Sequence, residues 1–294
     1  MKRRRMEGLL YLIPWLVGFS VFVVYPFAMS LFYSFTDYTM LNDASFIGLA
    51  NYKKLIFQEP VFKTSLLATI KFVVFTVPCK LIFALFIAYI MNSKIKGIGF
   101  FRTAYYIPSI LGANVAIAVL WQFLFKADGF VNLFLTTIGF SAVEWFSSSA
   151  GAMATIVILR VWQFGSAMVI FLNALTEVPE DLYEAAAIDG AGKARQFFSV
   201  TLPQITPIIF FNLILQLVQT FQEFDGPFLV TKGGPMRTTY LLPMYIYDST
   251  FKVFDMGYSC ALSWVLFILI MIFTVILFGT SKYWVFYSDG RGNR

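Results

Sequence analysis

The sequence has no histidine, only two cysteines and few charged residues. Cys79 and Cys260 have no neighbouring ligand residues, which argues against a metal site built from histidine and cysteine. Both lie in or at the edge of apolar segments, so we expect them to pack as small apolar groups rather than form a disulfide. Charged residues make up 13% of the 294 positions, whereas soluble domains carry about 25%. This composition excludes an ordinary soluble domain.

Apolar sequence is abundant instead, at 59% of the residues. Six apolar runs each reach or exceed the ~20 residues that a helix needs to cross a bilayer. The runs cover about 9–35, 65–91, 103–125, 152–175, 205–224 and 258–282. We therefore predict an all-α polytopic transmembrane helical bundle with six spans, forming a single domain over residues 1–294 in a lipid bilayer.

The distribution of basic residues predicts the orientation of the bundle. The two termini and the connectors 92–102 and 176–204 hold twelve lysines and arginines, and the other connectors hold seven. Because short basic loops stay in the cytoplasm, both termini and the 176–203 connector are predicted inside. The Lys2–Arg5 cluster is interpreted as the flank of a retained first helix rather than a signal peptide. The net charge of +6 is spread over four connectors, so no nucleic-acid partner is predicted.

The connector between the fourth and fifth spans has the signals of a short helix. Pro179 suits a helix start, Glu180 and Asp181 favour the positive end of the helix dipole, and Gly190 suits a left-handed stop. We predict a helix over about 179–189.

A second short helix is predicted over about 193–200, ending before Leu202-Pro203 because proline restricts its predecessor. Ala185 to Ala187 keep one side of the first helix thin, and Leu182 and Ile188 offer apolar anchors. The pair would be either a projecting elbow that docks a partner or an amphipathic connector on the lipid surface.

The sequence pattern favours docking. The residues concerned are Glu184-Ala185-Ala186, Asp189-Gly190-Ala191, Phe197 or Phe198, Leu202-Pro203 and Pro207. This combination resembles the EAA loop of permease subunits in bacterial binding-protein-dependent ABC importers. The six spans, the position of the loop and the stretch 231–235 also look like the sugar permeases of the maltose and glycerol-phosphate type.

This resemblance implies a type I ABC importer permease fold in the cytoplasmic membrane. Glu184, Ala185, Ala186, Asp189 and Gly190 would form the element that couples to a separate ATPase. The implied partners are a second homologous permease chain, two ATPase subunits, an extracytoplasmic solute-binding protein and a sugar or oligosaccharide. The chain itself would be non-catalytic and hold no cofactor, with ATP and Mg bound by the ATPases. It lacks a Walker A sequence and the extra N-terminal spans of the maltose permease, so details of binding-protein docking do not transfer.

Intramembrane polar groups, which are costly in lipid, predict the substrate path. Asn212, Gln216, Gln219 and Glu223 fall within a sector of about 60° on a helix with 100° per residue. Such a ladder suits sugar hydroxyls, which both donate and accept hydrogen bonds. The alternative is interhelical amide bonding that holds the bundle together.

Four further residues are candidates for the path. Arg160 is expected to contact either a ligand or Glu223. Trp162 and Gln163 come next in the sequence, and an aromatic ring beside polar groups suits a pyranose face. The alternative for Trp162 is packing against lipid. Lys80 lies near mid-membrane, and with Arg160 it could favour an acidic saccharide. Polar groups of the third span, at Asn114, Trp121 and Gln122, are assigned to packing.

Two other classes of function stay open at this point. A membrane-embedded enzyme on lipid-linked sugar would need an acid/base pair, for which Glu223 and Asp225 are the candidates. An ATP-independent carrier or channel would need broken helices or several aligned polar faces, and only one polar stripe is evident.

Overall fold

The computed structural model describes residues 2–92, 97–112 and 114–286, with side chains from residue 11 onwards. These residues form helices and no β-strand, with isolated bridges only at Thr36–Phe46 and Thr39–Asp255. The predicted all-α class is confirmed. Part of the predicted orientation rests on basic residues at 94, 96, 291 and 294, which lie outside the described residues.

The described part of the chain contains fourteen α-helices. They are α1 Lys2–Phe19, α2 Tyr25–Ser34, α3 Ala50–Lys53, α4 Pro60–Met91, α5 Ile98–Leu111, α6 Val115–Phe125, α7 Phe130–Thr137, α8 Ser149–Trp162, α9 Gly165–Thr176, α10 Glu180–Ile188, α11 Lys193–Gln196, α12 Leu202–Phe221, α13 Leu242–Phe251 and α14 Met256–Ser281. Wider π-helical turns occur at Ser20–Val24, Lys54–Gln58, Phe197–Thr201 and Pro227–Thr231.

Five helical stretches among the described residues are long and apolar enough to cross a membrane. They are Tyr11–Ser34, Pro60–Met91, Val115–Thr137, Lys193–Phe221 and Met256–Ser281. The pair α8 and α9 passes the same test as one span bent by 46°. By length and composition, the described residues therefore contain five candidate spans, or six when the bent pair is counted as one.

The predicted third and fourth spans are interrupted rather than continuous. The third, over 103–125, breaks between α5 and α6, where Gly112 has φ +62 and the Asn114 side chain accepts a hydrogen bond from Ile117 N at 2.9 Å. A left-handed glycine followed by an N-cap side chain ends one helix and begins another. The fourth, over 152–175, breaks at Gln163 and Phe164 between α8 and α9.

The predicted second short helix over 193–200 does not end before Leu202-Pro203. α11 instead continues through the π-helical turn Phe197–Thr201 into α12. Pro203 lies in the first turn of α12, and its ring would crowd the carbonyl one turn earlier in a regular helix. The wider π turn accommodates the proline without ending the helix, so the prediction of a break here was wrong.

One of two compact units comprises Met1–Lys63 and Tyr245–Ile268. Within it, Trp264 Nε1 donates to Ser30 Oγ at 3.2 Å. Asn51 Nδ2 donates to the carbonyls of Ser34 and Thr36, at 3.1 and 2.8 Å. A Cβ at Gly257 would overlap the Thr36 carbonyl, so only glycine permits this close approach.

The other unit comprises Thr64–Met244 and Leu269–Arg294. One of its buried clusters includes Phe72 of α4, Ile156 of α8 and Leu241. A second includes Trp121 and Phe125 of α6 together with Leu159, Val230 and Ala118. The first cluster packs α4 against α8 and the second packs α6 against α8. Of the residues that sequence analysis assigned to the substrate path, Trp162 packs against the second cluster.

Candidate functional sites

The first candidate site is the elbow, residues 179–201. Its helix, α10, begins after Pro179 and has Glu180 and Asp181 in its first turn, as predicted to within one residue. Gly190 has φ +76, and its N–H donates to the Ala187 carbonyl at 3.0 Å while Ala191 N–H donates to Ala186 at 2.9 Å. This pair of bonds is the Schellman arrangement that ends helices at a left-handed glycine. The predicted stop at Gly190 is confirmed.

A side-chain link joins α10 to the base of α12. The Tyr183 hydroxyl and Thr201 Oγ1 are 2.9 Å apart, and Thr201 is buried. On the same side, the rings of Tyr89 and Phe197 meet edge to face at 4.9 Å, which joins α4 to the elbow. Sequence analysis predicted neither contact. Tyr183 could have indicated the first one, because an aromatic residue in a short polar helix suggests that one face of the helix packs against the protein.

The opposite face of α10 carries most of the residues assigned to coupling. Glu184, Ala185, Asp189 and Gly190 are exposed, and Ala186 is half-buried. Ile188 is 87% exposed, so this face also offers an apolar side chain for contact with a protein or with the lipid surface. The geometry brings these residues together on one accessible helix, and their coupling role stays a prediction.

Two cavities border the elbow. One of about 530 Å³ is lined by Val178 and Leu182 on the α10 side and by Gln204 and Ile208 of α12. The other, of about 500 Å³, is lined in part by Tyr89, Tyr183 and Gln196. Around the contact between Tyr183 and Thr201, α10 is therefore loosely packed against the rest of the protein.

The second candidate site is the charge cluster, which consists of Lys80, Arg160, Gln163 and Glu223. Arg160 Nε lies 3.2 Å from Glu223 Oε2, so the two side chains form an ion pair. The Nε–H group does not meet the geometry of a hydrogen bond to this oxygen. Glu223 Oε1 also accepts from Gly226 N–H at 3.2 Å. Of the two contacts predicted for Arg160, the structure shows the ion pair with Glu223. Lys80 of α4 is 2% exposed and interacts electrostatically with both Arg160 and Glu223.

Gln163 places the charge cluster at the break between α8 and α9. Its Oε1 accepts from Arg160 Nη1 at 2.9 Å, and its Nε2 is buried without a hydrogen-bond partner among the described residues. Ser109 of α5 bridges the break: its hydroxyl donates to the Gln163 carbonyl at 3.1 Å and accepts from Ser166 N–H at 3.0 Å. The role of Ser109 was not foreseen, because nothing in its local sequence marks a break 54 residues away.

The predicted polar ladder of α12 is only partly present. Asn212 and Gln216 are buried, and Asn212 Nδ2 donates to the Ala167 carbonyl of α9 at 3.1 Å. Gln219, by contrast, is exposed. α12 ends at Phe221, so Glu223 lies in the following turn and the extrapolation of helical periodicity to it was wrong. Contact of substrate with Asn212, Gln216, Gln219 and Glu223 stays a prediction.

Aromatic and amide groups of the third and fourth spans serve packing. The rings of Trp162 and Trp121 are 5.5 Å apart, so Trp162 packs against protein and not solely against lipid. Trp121 Nε1 donates to the Thr155 carbonyl at 3.1 Å, and Gln122 Nε2 donates to Leu229 and Val230 carbonyls at 3.0 and 2.9 Å. The packing role predicted for Trp121 and Gln122 is confirmed.

Neither candidate site has the composition of a metal centre. No group of three or more aspartate, glutamate or cysteine side chains among the described residues is placed to hold a metal ion. Both cysteines are free, Cys79 is exposed on the surface of α4, and Cys260 is half-buried.

Residues 64–286 match the family of inner-membrane components of binding-protein-dependent transport systems. The chain belongs to this family. It is 40% identical to the probable ABC transporter permease protein YesP of Bacillus subtilis, over 98% of this chain and 94% of that protein. It is 35% identical to the sulfoquinovosyl glycerol transport system permease protein SmoG of Agrobacterium fabrum, over 92% of this chain and 89% of that protein.

The fold agrees with a solved ABC importer. A bacterial ABC transporter involved in the import of the acidic polysaccharide alginate matches with a TM-score of 0.82 at 21% identity, over 96% of this chain and 97% of that chain. The predicted permease-like fold, the inner-membrane location and the resemblance to ABC importer permeases are confirmed. Of the three function classes that the residues left open, family membership selects the transport subunit.

Proposed function

We propose that the chain is the non-catalytic permease subunit of an ABC sugar importer. It pairs with a second homologous permease chain, and the two form the translocation path for a sugar or oligosaccharide that an extracytoplasmic binding protein delivers. Two separate ATPase subunits bind ATP and Mg, and one of them docks on the elbow of this chain. Both termini and the elbow face the cytoplasm.

The single observation that carries this function is the exposed face of α10. A nine-residue helix presents Glu184, Ala185 and Ile188 outward, while Tyr183 on its inner side holds it to Thr201. One face of α10 is therefore anchored to the protein, and the exposed face carries both apolar and acidic side chains. Such a face is suited to binding by another protein. Its alanines allow a partner backbone to approach closely.

The elbow can transmit movement to the spans through its attachments. A displacement of α10 is passed to α12 at Thr201 and, through the contact between Phe197 and Tyr89, to α4. α12 carries Asn212 and Gln216 toward its other end, and α4 carries Lys80. Closure of the ATPases would thereby bias the bundle between inward-facing and outward-facing states, which requires a partner that stabilises the two states differently.

Buried polar groups and the relatives together support a sugar as the cargo. Gln216 Oε1 and Asn212 Oδ1 are buried without hydrogen-bond partners among the described residues, and a saccharide hydroxyl could donate to either. SmoG is named for the transport of sulfoquinovosyl glycerol, and the transporter with the similar fold is involved in the import of alginate. Both cargos are carbohydrate derivatives.

Site-directed crosslinking tests the docking face. In a chain with Cys79 and Cys260 replaced by serine, Glu184→Cys should crosslink to a co-purifying ATPase subunit, and nucleotide should alter the yield. Val253→Cys is the matched control, because its side chain is 69% exposed but lies in a connector assigned to the outer side. Absence of any ATPase adduct at position 184, in every nucleotide state, would refute the proposed function.

A further inference from the structure

The charge cluster holds more positive than negative charge. Lys80 and Arg160 are the cations and Glu223 is the carboxylate. Lys80 and Glu223 are 2% and 8% exposed, and the Arg160 side chain is 19% exposed. Buried charges are costly in a membrane protein and are found where they pair or serve function. The cluster therefore contains two basic side chains and one carboxylate, and Lys80 forms no ion pair within 4.0 Å among the described residues.

Glu223 cannot serve both cations equally. One of its oxygens faces Arg160 Nε and the other accepts from Gly226 N–H. A Cβ at Gly226 would come 3.1 Å from Glu223 Oε1, so the turn closes tightly over that oxygen. Lys80 is within electrostatic range of both charges but has no carboxylate at ion-pair distance among the described residues. The carboxylate is therefore committed to Arg160.

Hydrogen-bond donors are also in excess at this position. The Gln163 amide oxygen is used by Arg160, while its Nε2 group is buried and without a partner among the described residues. The Lys80 ammonium adds three donors and no acceptor. A group that matches this arrangement carries negative charge and several acceptor oxygens, as carboxylates, sulfonates and phosphates do.

The charge cluster lies at an interruption of a candidate span. Arg160 and Gln163 lie at the end of α8, where the bent span breaks before α9. Irregular backbone within a span is tolerated where it is buried in protein or lines a water-filled cavity. Discontinuous helices of this kind form substrate sites in transporters.

We propose that Lys80, with Arg160 and Gln163, binds the anionic group of an acidic saccharide, which is the class of cargo that this permease carries. Glu223 holds Arg160 in place and offsets its charge, and Lys80 supplies the excess positive charge that selects an anion over a neutral sugar. This assignment rests on the proposed function, because it names the cargo of the same translocation path.

The test uses the complete importer in proteoliposomes, with its binding protein outside and ATP inside. A mixture of neutral and uronate-containing oligosaccharides of two to five sugars is offered, and mass spectrometry identifies what accumulates. The wild type should enrich uronate-containing members. Lys80→Met should reduce that enrichment about tenfold, as expected for loss of one charge-assisted contact, and Lys80→Arg should retain most of it.

Lys71→Met is the matched control, because it removes the same charge from an exposed position of the same helix and should leave the enrichment unchanged. Co-purification of all subunits shows that each variant is folded and assembled. Enrichment of neutral sugars by the wild type, or an unchanged preference in Lys80→Met, would overturn the assignment and leave the importer function standing. Absence of any ATP-dependent accumulation would overturn both.

Discussion

The elbow and the charge cluster are built in different ways. The elbow is one continuous segment whose helix start, exposed face and left-handed stop are encoded within about a dozen neighbouring residues. The charge cluster joins Lys80 of α4, Arg160 of α8 and Glu223 after α12, which are separated by long stretches of sequence. One site is local and exposed, and the other is non-local and buried. Substitutions should therefore act on transport at the first and on stability and selectivity at the second.

The strongest test of this contrast is charge reversal on the elbow. Glu184→Lys should reduce ATP-dependent uptake on the order of 100-fold, because a wrong charge at a docking surface costs several kcal/mol. Yield and thermal stability of the purified chain should not change, since exposed charges contribute little to folding. Uptake assays in cells, with membrane yield measured in parallel, check both halves of the expectation.

Asp43→Lys is the control for that experiment, since it makes the same reversal at an exposed position far along the chain from the elbow. Uptake by this variant should match the wild type. Normal uptake by Glu184→Lys would instead remove the distinction between the elbow and the rest of the surface.

Loss of the carboxylate should have the opposite profile at the charge cluster. Glu223→Gln leaves Arg160 and Lys80 as two uncompensated cations, and breaking a buried pair in this way costs about 3 kcal/mol. The melting temperature of the detergent-purified chain should fall. Adding Lys80→Met to Glu223→Gln should recover part of the loss, because it removes one of the two cations. A melting temperature that is unaffected by Glu223→Gln would show that the pair is not a determinant of stability.

The contrast between local and non-local determinants also explains what sequence reasoning could predict. The bounds of α10 were predicted to within one residue because proline, acidic residues and glycine each act on their own backbone. The ion pair of Arg160 with Glu223 was one of two predicted contacts, because the two residues were expected at a similar depth in the membrane. Lys80 was paired with Arg160 as a residue that could favour an acidic saccharide, but its place beside Glu223 could not be predicted, because hydropathy does not specify how α4 is rotated.

Span boundaries were predicted less well where the helices break. Gly112 and the pair Gln163–Phe164 interrupt runs that are continuous by hydropathy alone. Asn132 illustrates the same limit: it bonds to the carbonyls of Ala127 and Val143 and to Trp145 Nε1. A buried amide that organises a loop has no periodic pattern, so only the tertiary structure identifies it.

A smaller effect is expected at the glycine that ends α10. Gly190→Ala places a Cβ at φ +76, which costs about 1–2 kcal/mol through backbone strain. Amide hydrogen exchange across 187–191 should become faster, and uptake should fall modestly. Gly192→Ala is a matched control, because Gly192 has φ −68 and open space around a Cβ. Equal effects of the two substitutions would show that the left-handed turn is not what fixes the helix end.

The smallest expected effect separates docking from transmission within the elbow. Tyr183→Phe keeps the ring but removes the hydroxyl that lies 2.9 Å from Thr201 Oγ1, a hydrogen bond worth about 1 kcal/mol. Crosslinking from position 184 should persist, because the exposed face is unchanged, while uptake should fall by less than in Gly190→Ala. Thr201→Val should have a similar effect, and Tyr183→Phe should add little to it if the two groups act as one link. Additive losses would mean that α10 moves α12 through some other contact, and the tie at Thr201 would then be only structural.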